Sequence, residues 1–177
     1  MSDQLINDME AHLGVSMEYM REIKRHSEGG FEKFANVFPL AGHREVISKE
    51  ANFVARILAT IKEDCGTCAQ IAVNRSIDDG VDGEFINSVI QGRREDLSDE
   101  VRLVYDFVQA TLDNVLEQDG LREQVKDQLG AAALVDLGLA IASARVFPTV
   151  KRTLGFATTC QRLSIGNASS QVGTGSS

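Results

Sequence analysis

Apolar residues recur at steps of three and four along most of this chain, the spacing of one face of an α-helix. The clearest stripe follows Ser48, a residue suited to cap a helix. It consists of five large apolar side chains: Phe53, Val54, Ile57, Leu58 and Ile61. No convincing hairpin signal or alternating strand run accompanies this pattern. The sequence therefore predicts an all-α fold.

The same pattern predicts where the helices begin and end. The predicted helices cover residues 3–13, 16–27, 31–37, 48–63, 65–77, 82–92, 98–120, 121–129 and 131–146. Pro39 is expected to stop the helix before it, and Pro148 to begin one more, to about Leu163. From Gly166 the chain is mostly glycine, serine, asparagine and threonine. We therefore expect one domain over residues 1–165 and a disordered tail over 166–177.

Composition and charge narrow the possible partners. The chain has 177 residues, 43% of them hydrophobic, which is enough for one domain with a substantial core. The formal net charge of −8, without a basic run, argues against nucleic acid and anionic membranes as partners. The charged N-terminal 25 residues leave no room for a signal peptide. The longest apolar run, Ala131 to Ala144, contains Asp136 and is expected to be too short to span a bilayer. A reducing cytoplasm is the expected compartment.

Two of the three cysteines stand three residues apart, in Cys65-Gly66-Thr67-Cys68. In a helix this spacing is one turn, so both sulfurs lie on one face and can form a dithiol or a disulfide. Asp64 is expected to cap that helix and to place Cys65 in its first turn, where the helix dipole favours a thiolate. Glu63 and Asp64 act against this, because nearby negative charge raises the pKa of a thiol.

Three interpretations of the cysteine pair stay open: a redox centre, two small buried side chains, or part of a metal site. A zinc site needs two more nitrogen or sulfur ligands. The other candidates are Cys160, His12, His26 and His43, and none stands at ligand spacing. Cys160 is expected to serve packing, and no metal or cofactor is expected.

The order of features around the cysteines extends over residues 45–118. A helix leads into the cysteines, which are followed by the turn Asp78-Asp79-Gly80 and a helix that ends at Gly92. A long amphipathic helix then begins after Leu97-Ser98-Asp99-Glu100. This order resembles the AhpD-like, alkylhydroperoxidase branch of the carboxymuconolactone decarboxylase superfamily. The resemblance implies a helical bundle that forms a homo-oligomer, usually a trimer or hexamer. It also implies a thiol peroxidase or disulfide oxidoreductase that reduces a small peroxide or disulfide and is restored by an external thiol reductant.

The resemblance assigns roles to some residues and leaves others without a counterpart. In the family the second cysteine attacks and the first resolves, which corresponds to Cys68 and Cys65 here. The family's relay histidine corresponds to Ala72, and its relay glutamate to Phe53, so the proton relay is missing.

Three other residues are candidates for the missing proton relay. Glu50 lies one turn before the relay glutamate position, and Glu63 lies next to the cysteines. For Glu63 and Asp64, the more common role of such carboxylates is as caps and helix-dipole charges. His43 lies in a loop-like stretch and is expected to be solvated, with an acid–base role over the cysteines as the alternative. The basic residues Arg145, Lys151 and Arg152 are expected to form a solvated or ion-paired face.

Two functions of other classes stay open beside the dithiol enzyme. One is a cofactor-free enzyme of the carboxymuconolactone decarboxylase type that acts on a small organic acid. A cationic pocket would favour it, but it leaves the cysteines unexplained. The other is a non-catalytic oligomer, which Ala72 and Phe53 favour. Buried sulfurs without a neighbouring cavity would favour it further.

Overall fold

The computed structural model describes residues 3–115, 119–157, 163–165 and 168–170. These residues form a helical bundle followed by a two-stranded hairpin. The helices are α1 Asp3–Leu13, α2 Glu18–His26, α3 Glu28–Ala35, α4 Val37–Gly42, α5 Lys49–Lys62, α6 Gly66–Asp78, α7 Gly83–Gln91, the 3₁₀ helix Arg94–Asp96, α8 Asp99–Leu112, α9 Asp119–Leu129 and α10 Ala131–Thr153. The strands are β1 Leu163–Ile165 and β2 Ala168–Ser170. The predicted all-α class is confirmed.

Helix α5 is the centre of the main core, where it packs against α6, α8 and α10. Four of the five side chains of its predicted stripe are buried, with Val54 and Ile57 fully inside, and Ile61 is partly buried. Ser48 caps it, because its hydroxyl oxygen accepts a hydrogen bond of 3.2 Å from the Ala51 backbone N–H. The predicted caps Asp82 and Ser98 begin α7 and α8 in the same way. The capping signals in the sequence thus agree with the tertiary structure for these three helices.

A second apolar cluster joins the N-terminal helices to α6 and the end of α10. At its centre the ring of Phe34 makes edge-on contacts with the rings of Tyr19, Phe38 and Phe147 at centroid distances of 5.6 to 6.2 Å. Ile71 of α6 packs against the same cluster. The segment before residue 45 therefore covers the helix that carries the cysteines.

Two predictions about proline are wrong. Pro39 lies within α4 instead of stopping a helix, and it is tolerated because first-turn residues need no N–H donor. Pro148 lies inside α10, which runs unbroken from Ala131 to Thr153. A proline inside a helix costs about 3 kcal/mol. Buried contacts on both sides of Pro148, by Ala144 and Lys151, hold the helix in place.

The end of the chain also differs from its prediction. Leu163 to Ile165 is a strand instead of a helix end, with both apolar side chains buried. It pairs antiparallel with Ala168–Ser170, within the segment that was expected to be disordered. Gln70 on α6 fixes β1, because its side-chain amide exchanges hydrogen bonds of 2.7 and 2.8 Å with the Ser164 backbone. The remaining tail residues, 166, 167 and 171–177, lie outside the described residues, as does Cys160.

Helix α10 is longer than its apolar sequence run indicated. With 23 residues it is long and apolar enough to cross a membrane by length and composition alone. The core helix of a soluble protein meets the same length and composition criteria. The helix packs against α4, α5 and α9, and Asp136 and Lys151 are buried in it.

Candidate functional site

The two cysteines lie at the start of α6, as predicted, but the cap is different. Cys65 itself occupies the N-cap position, and Asp64 precedes it with a left-handed φ of 49°. The Asp64 backbone N–H donates to the Ile61 carbonyl at the end of α5. Asp64 therefore closes the turn between the two helices and does not cap the second one.

Both sulfurs are free thiols inside the protein. Cys65 is 1% exposed and Cys68 is 6% exposed. Cys68 borders a cavity of about 90 Å³, but Cys65 is not among the residues that line it. A molecule that enters this cavity therefore meets Cys68 first.

The lining of the Cys68 cavity is largely apolar. The apolar side chains come from α1, α2, α4, α5, α6 and α10 and include Met9, Leu13, Met17, Phe38, Phe53, Ile71, Ala72 and Phe147. Phe53 and Ala72, the positions where the resembling family carries its relay, thus both face this cavity.

Three cations border the same cavity: Arg56 from α5, Arg75 from α6 and Lys151 from α10. Among the described residues, none that lines this cavity is acidic. Burial, and to a smaller extent the neighbouring charge of Arg75, lowers the pKa of Arg56 to about 10. The site is therefore electropositive, although the whole chain is acidic.

A second cavity of about 340 Å³ shares Phe53, Arg56 and Arg75 with the first. Asn52 also lines it, and its buried side-chain oxygen has no hydrogen-bond partner within the part of the chain that the structure describes. Buried oxygens of this kind usually contact water or a ligand. The two arginines thus lie on the wall between an apolar cavity and a polar one.

The cysteine pair holds one proton tightly and releases the other easily. The Cys68 thiol, directed at the Cys65 sulfur, is the largest of the causes that lower the pKa of Cys65 to about 6. The Cys68 backbone N–H and the charges of Lys151 and Arg152 act in the same direction, and burial opposes them. The same Cys65 contact and burial raise the pKa of Cys68 far above that of a free thiol. Cys65 is therefore the more acidic thiol of the pair, because the Cys68 thiol stabilises its charged form.

Tyr19 is a site residue that the sequence did not indicate. Its ring lies 5.0 Å from Lys151 Nζ, and both side chains line the Cys68 cavity. Burial and the nearby charges of the two cysteines raise the pKa of Tyr19 well above its usual value. Tyr19 therefore keeps its proton beside the sulfurs. No sequence signal indicated it, because it lies more than forty positions away from the cysteines.

Glu63 is near the cysteines but bound to two arginines. Arg145 Nε donates to one carboxylate oxygen at 2.6 Å, and an Arg152 nitrogen donates to the other at 3.3 Å. Burial raises the pKa of Glu63, but the two arginines outweigh it and hold the pKa below its usual value. An ionised carboxylate of this kind is a poor proton donor. The pairing also neutralises the charge that was expected to oppose a Cys65 thiolate.

The other two relay candidates are not among the residues that line the Cys68 cavity. His43 lies near Asp136 of α10, with Nε2 3.4 Å from Oδ1. It is half-buried. Glu50 lies in the first turn of α5, where a carboxylate complements the helix dipole.

The acidity of Cys65 gives a direct test of this geometry. We expect the ultraviolet absorbance of the thiolate to rise with a midpoint near pH 6 as the pH increases. Cys68→Ala should raise the midpoint most because it removes the largest cause, and Lys151→Met should raise it less. Lys126→Met, at an exposed position on α9, serves as the control. A wild-type midpoint near the free-thiol value of about 8.5 would contradict this arrangement.

Comparisons with protein-family models, with curated proteins and with solved structures found no match to this chain. Within the described residues, no group of three or more histidine, cysteine, aspartate or glutamate side chains could hold a metal ion. The site is therefore defined by its own chemistry: a buried vicinal dithiol beside a small, apolar, cation-bordered cavity.

Proposed function

We propose that this protein is a dithiol oxidoreductase that reduces a small peroxide or disulfide with Cys65 and Cys68. The observation that carries the proposal is the buried cysteine pair, in which Cys68 borders a cavity and donates toward Cys65, whose pKa is lowered. Structural cysteines in an apolar core have raised pKa values, whereas Cys65 has a lowered one. The neighbouring cavity also argues against the non-catalytic alternative, which buried sulfurs without a cavity would favour.

For a peroxide, the reaction balances with two thiols. The proton of Cys68 passes to Cys65, and the Cys68 thiolate attacks one peroxide oxygen. The O–O bond breaks, the released alkoxide takes a proton and leaves as an alcohol, and Cys68 becomes a sulfenic acid. Cys65 then attacks this sulfur, which forms the disulfide and releases water. An external dithiol reductant returns two electrons and two protons.

The released alkoxide needs a proton donor, and Tyr19 and Lys151 are the candidates in the cavity. They would replace the relay that Ala72 and Phe53 lack. We propose the AhpD-like architecture, with its trimeric or hexameric assembly, as the framework for this chemistry. The sequence pattern over residues 45–118 and the cysteines at a helix start beside an apolar cavity support it.

Reversible disulfide formation is the test of this proposal. We expect thiol labelling in glutathione or dithiothreitol buffers to show a Cys65–Cys68 disulfide with a potential of roughly −180 to −270 mV. Their one-turn spacing lets the sulfurs bond with little movement. Cys160→Ser is the control and should leave the potential unchanged. If oxidation forms no disulfide between Cys65 and Cys68, the dithiol function is wrong.

The cations favour a second candidate, a cofactor-free enzyme that acts on a small organic acid. Arg56, Arg75 and Lys151 give a cavity that suits an anion. The two candidates differ in their need for sulfur. A double variant with Cys65→Ser and Cys68→Ser would keep turnover of an organic acid, but it would lose every reaction of the dithiol.

A further inference from the structure

We propose that Arg56 and Arg75 form a carboxylate-binding subsite, so that the substrate of the dithiol is a small apolar molecule that carries a carboxylate. This inference rests on the proposed dithiol function and adds the substrate class to it. The subsite lies where the apolar cavity that contains Cys68 meets the polar cavity beside it.

The first argument is that these two arginines lack the partners that most of the others have. Eight other arginines form ion pairs with carboxylates: Arg21, Arg25, Arg93, Arg94, Arg102, Arg122, Arg145 and Arg152. Within the described residues, neither Arg56 nor Arg75 has an ion pair, and Arg56 instead lies over the Phe53 ring at 6.0 Å. In a chain with 26 acidic and 18 basic residues, two adjacent guanidinium groups without a carboxylate are unusual.

The second argument is that two neighbouring cations, one of them half-buried, cost the protein free energy until an anion binds. Arg56 is half-buried, and burial together with Arg75 disfavours its charged form. A bound carboxylate would remove the repulsion between the two cations and satisfy their planar donors, which match its two oxygens.

The third argument is that the site has a cationic end at the two arginines and an apolar end at Cys68, which together match an apolar molecule with a carboxylate. The cavity that Cys68 borders has both arginines on its wall, and Phe53, Ile71 and Ala72 give it an apolar lining beside them. Thr60, whose hydroxyl donates to the Arg56 carbonyl, also lines it. The cavity of about 90 Å³ suits a short branched alkyl group, not a long chain. A carboxylate bound by the arginines would then orient the peroxide or disulfide group of the same molecule toward the Cys68 sulfur. Asp78 and Asp79 border only the second cavity, which limits how far an anionic group can extend there.

A matched pair of substrates tests the subsite. The probes are tert-butyl hydroperoxide and 3-hydroperoxy-3-methylbutanoate, which is the same molecule with a carboxylate on one methyl group. Arg56→Gln and Arg75→Gln should each raise the KM of the carboxylate probe about tenfold or more, the usual effect of losing a charge-assisted hydrogen bond. They should leave the KM of the neutral probe within about twofold, and Arg56→Lys should restore part of the loss. Arg122→Gln on α9 is the control.

Binding without chemistry separates this inference from the function on which it rests. Calorimetry with 3-methylbutanoate and the neutral 3-methylbutanamide should show that only the anion binds to the wild-type protein and that Arg56→Gln abolishes binding. If this holds but oxidation forms no disulfide between Cys65 and Cys68, the subsite stands and the dithiol function fails. If both peroxides are consumed and both arginine variants leave every KM unchanged, the subsite is wrong and the dithiol function stands. Arg75 is exposed, so Arg75→Gln tests the subsite even if Arg56→Gln does not fold.

Discussion

Cys68→Ser is expected to abolish thiol-dependent peroxide consumption by this protein. Cys68 is the sulfur that borders the cavity, and a serine hydroxyl is not nucleophilic enough to attack a peroxide at neutral pH. Loss of an essential nucleophile typically lowers turnover by a factor on the order of 10⁴ or more, so residual activity should fall to background. The measurement is peroxide loss with a dithiol reductant in excess.

Cys65→Ser separates the two roles of the pair. This variant should also lose turnover, but it should still react once with peroxide, because Cys68 remains able to form a sulfenic acid. A sulfenic-acid-specific reagent should then label Cys65→Ser and leave Cys68→Ser unlabelled. Labelling only in Cys68→Ser would reverse the roles and make Cys65, the more acidic thiol, the attacking residue. Unchanged turnover in Cys68→Ser would refute the dithiol mechanism.

Asp136→Leu is expected to cause the largest loss of stability among single substitutions outside the cysteine site. One Asp136 oxygen accepts three backbone hydrogen bonds of 2.8 to 3.2 Å, from Glu45, Val46 and Ile47. Leucine would leave these donors without their acceptor inside the protein, at an expected cost of about 3–5 kcal/mol. Chemical denaturation measures this loss, and Asp99→Asn, at a side chain that is 93% exposed, should change stability by less than about 0.5 kcal/mol.

The pH dependence of this effect has a definite sign. Burial raises the pKa of Asp136, but the three backbone donors, and to a smaller extent His43, hold the pKa below its usual value. A carboxyl whose folded-state pKa is lowered adds stability above its unfolded pKa and loses that stability as the pH falls through the folded value. The stability difference between the wild-type protein and Asp136→Asn should therefore be full at pH 7 and shrink below about pH 4. A difference that grows on acidification would contradict this assignment.

Much of the helical architecture could be predicted from the sequence because its signals are local. Ser48, Asp82 and Ser98 cap the helices that they were predicted to begin, since a cap needs only its own backbone two or three residues on. The stripe on α5 is buried because its period matches the helix. The spacing of Cys65 and Cys68 likewise placed both at the start of one helix.

Only the tertiary structure decided the rest, because the deciding contacts join residues that are distant in sequence. Pro148 continues a helix because packing outweighs a local penalty. The acidity of Cys65 depends mainly on Cys68, and the smaller contributions of Lys151 and Arg152 come from more than eighty positions away. The charge of Glu63 is cancelled by arginines equally distant. Tyr19, Arg56 and Arg75 border the Cys68 cavity only because the helices α1 to α4 pack over α6. The sequence by itself determined the helical class, most helix starts and where the dithiol lies, whereas the fold determined what surrounds the sulfurs, since charge and burial act through space.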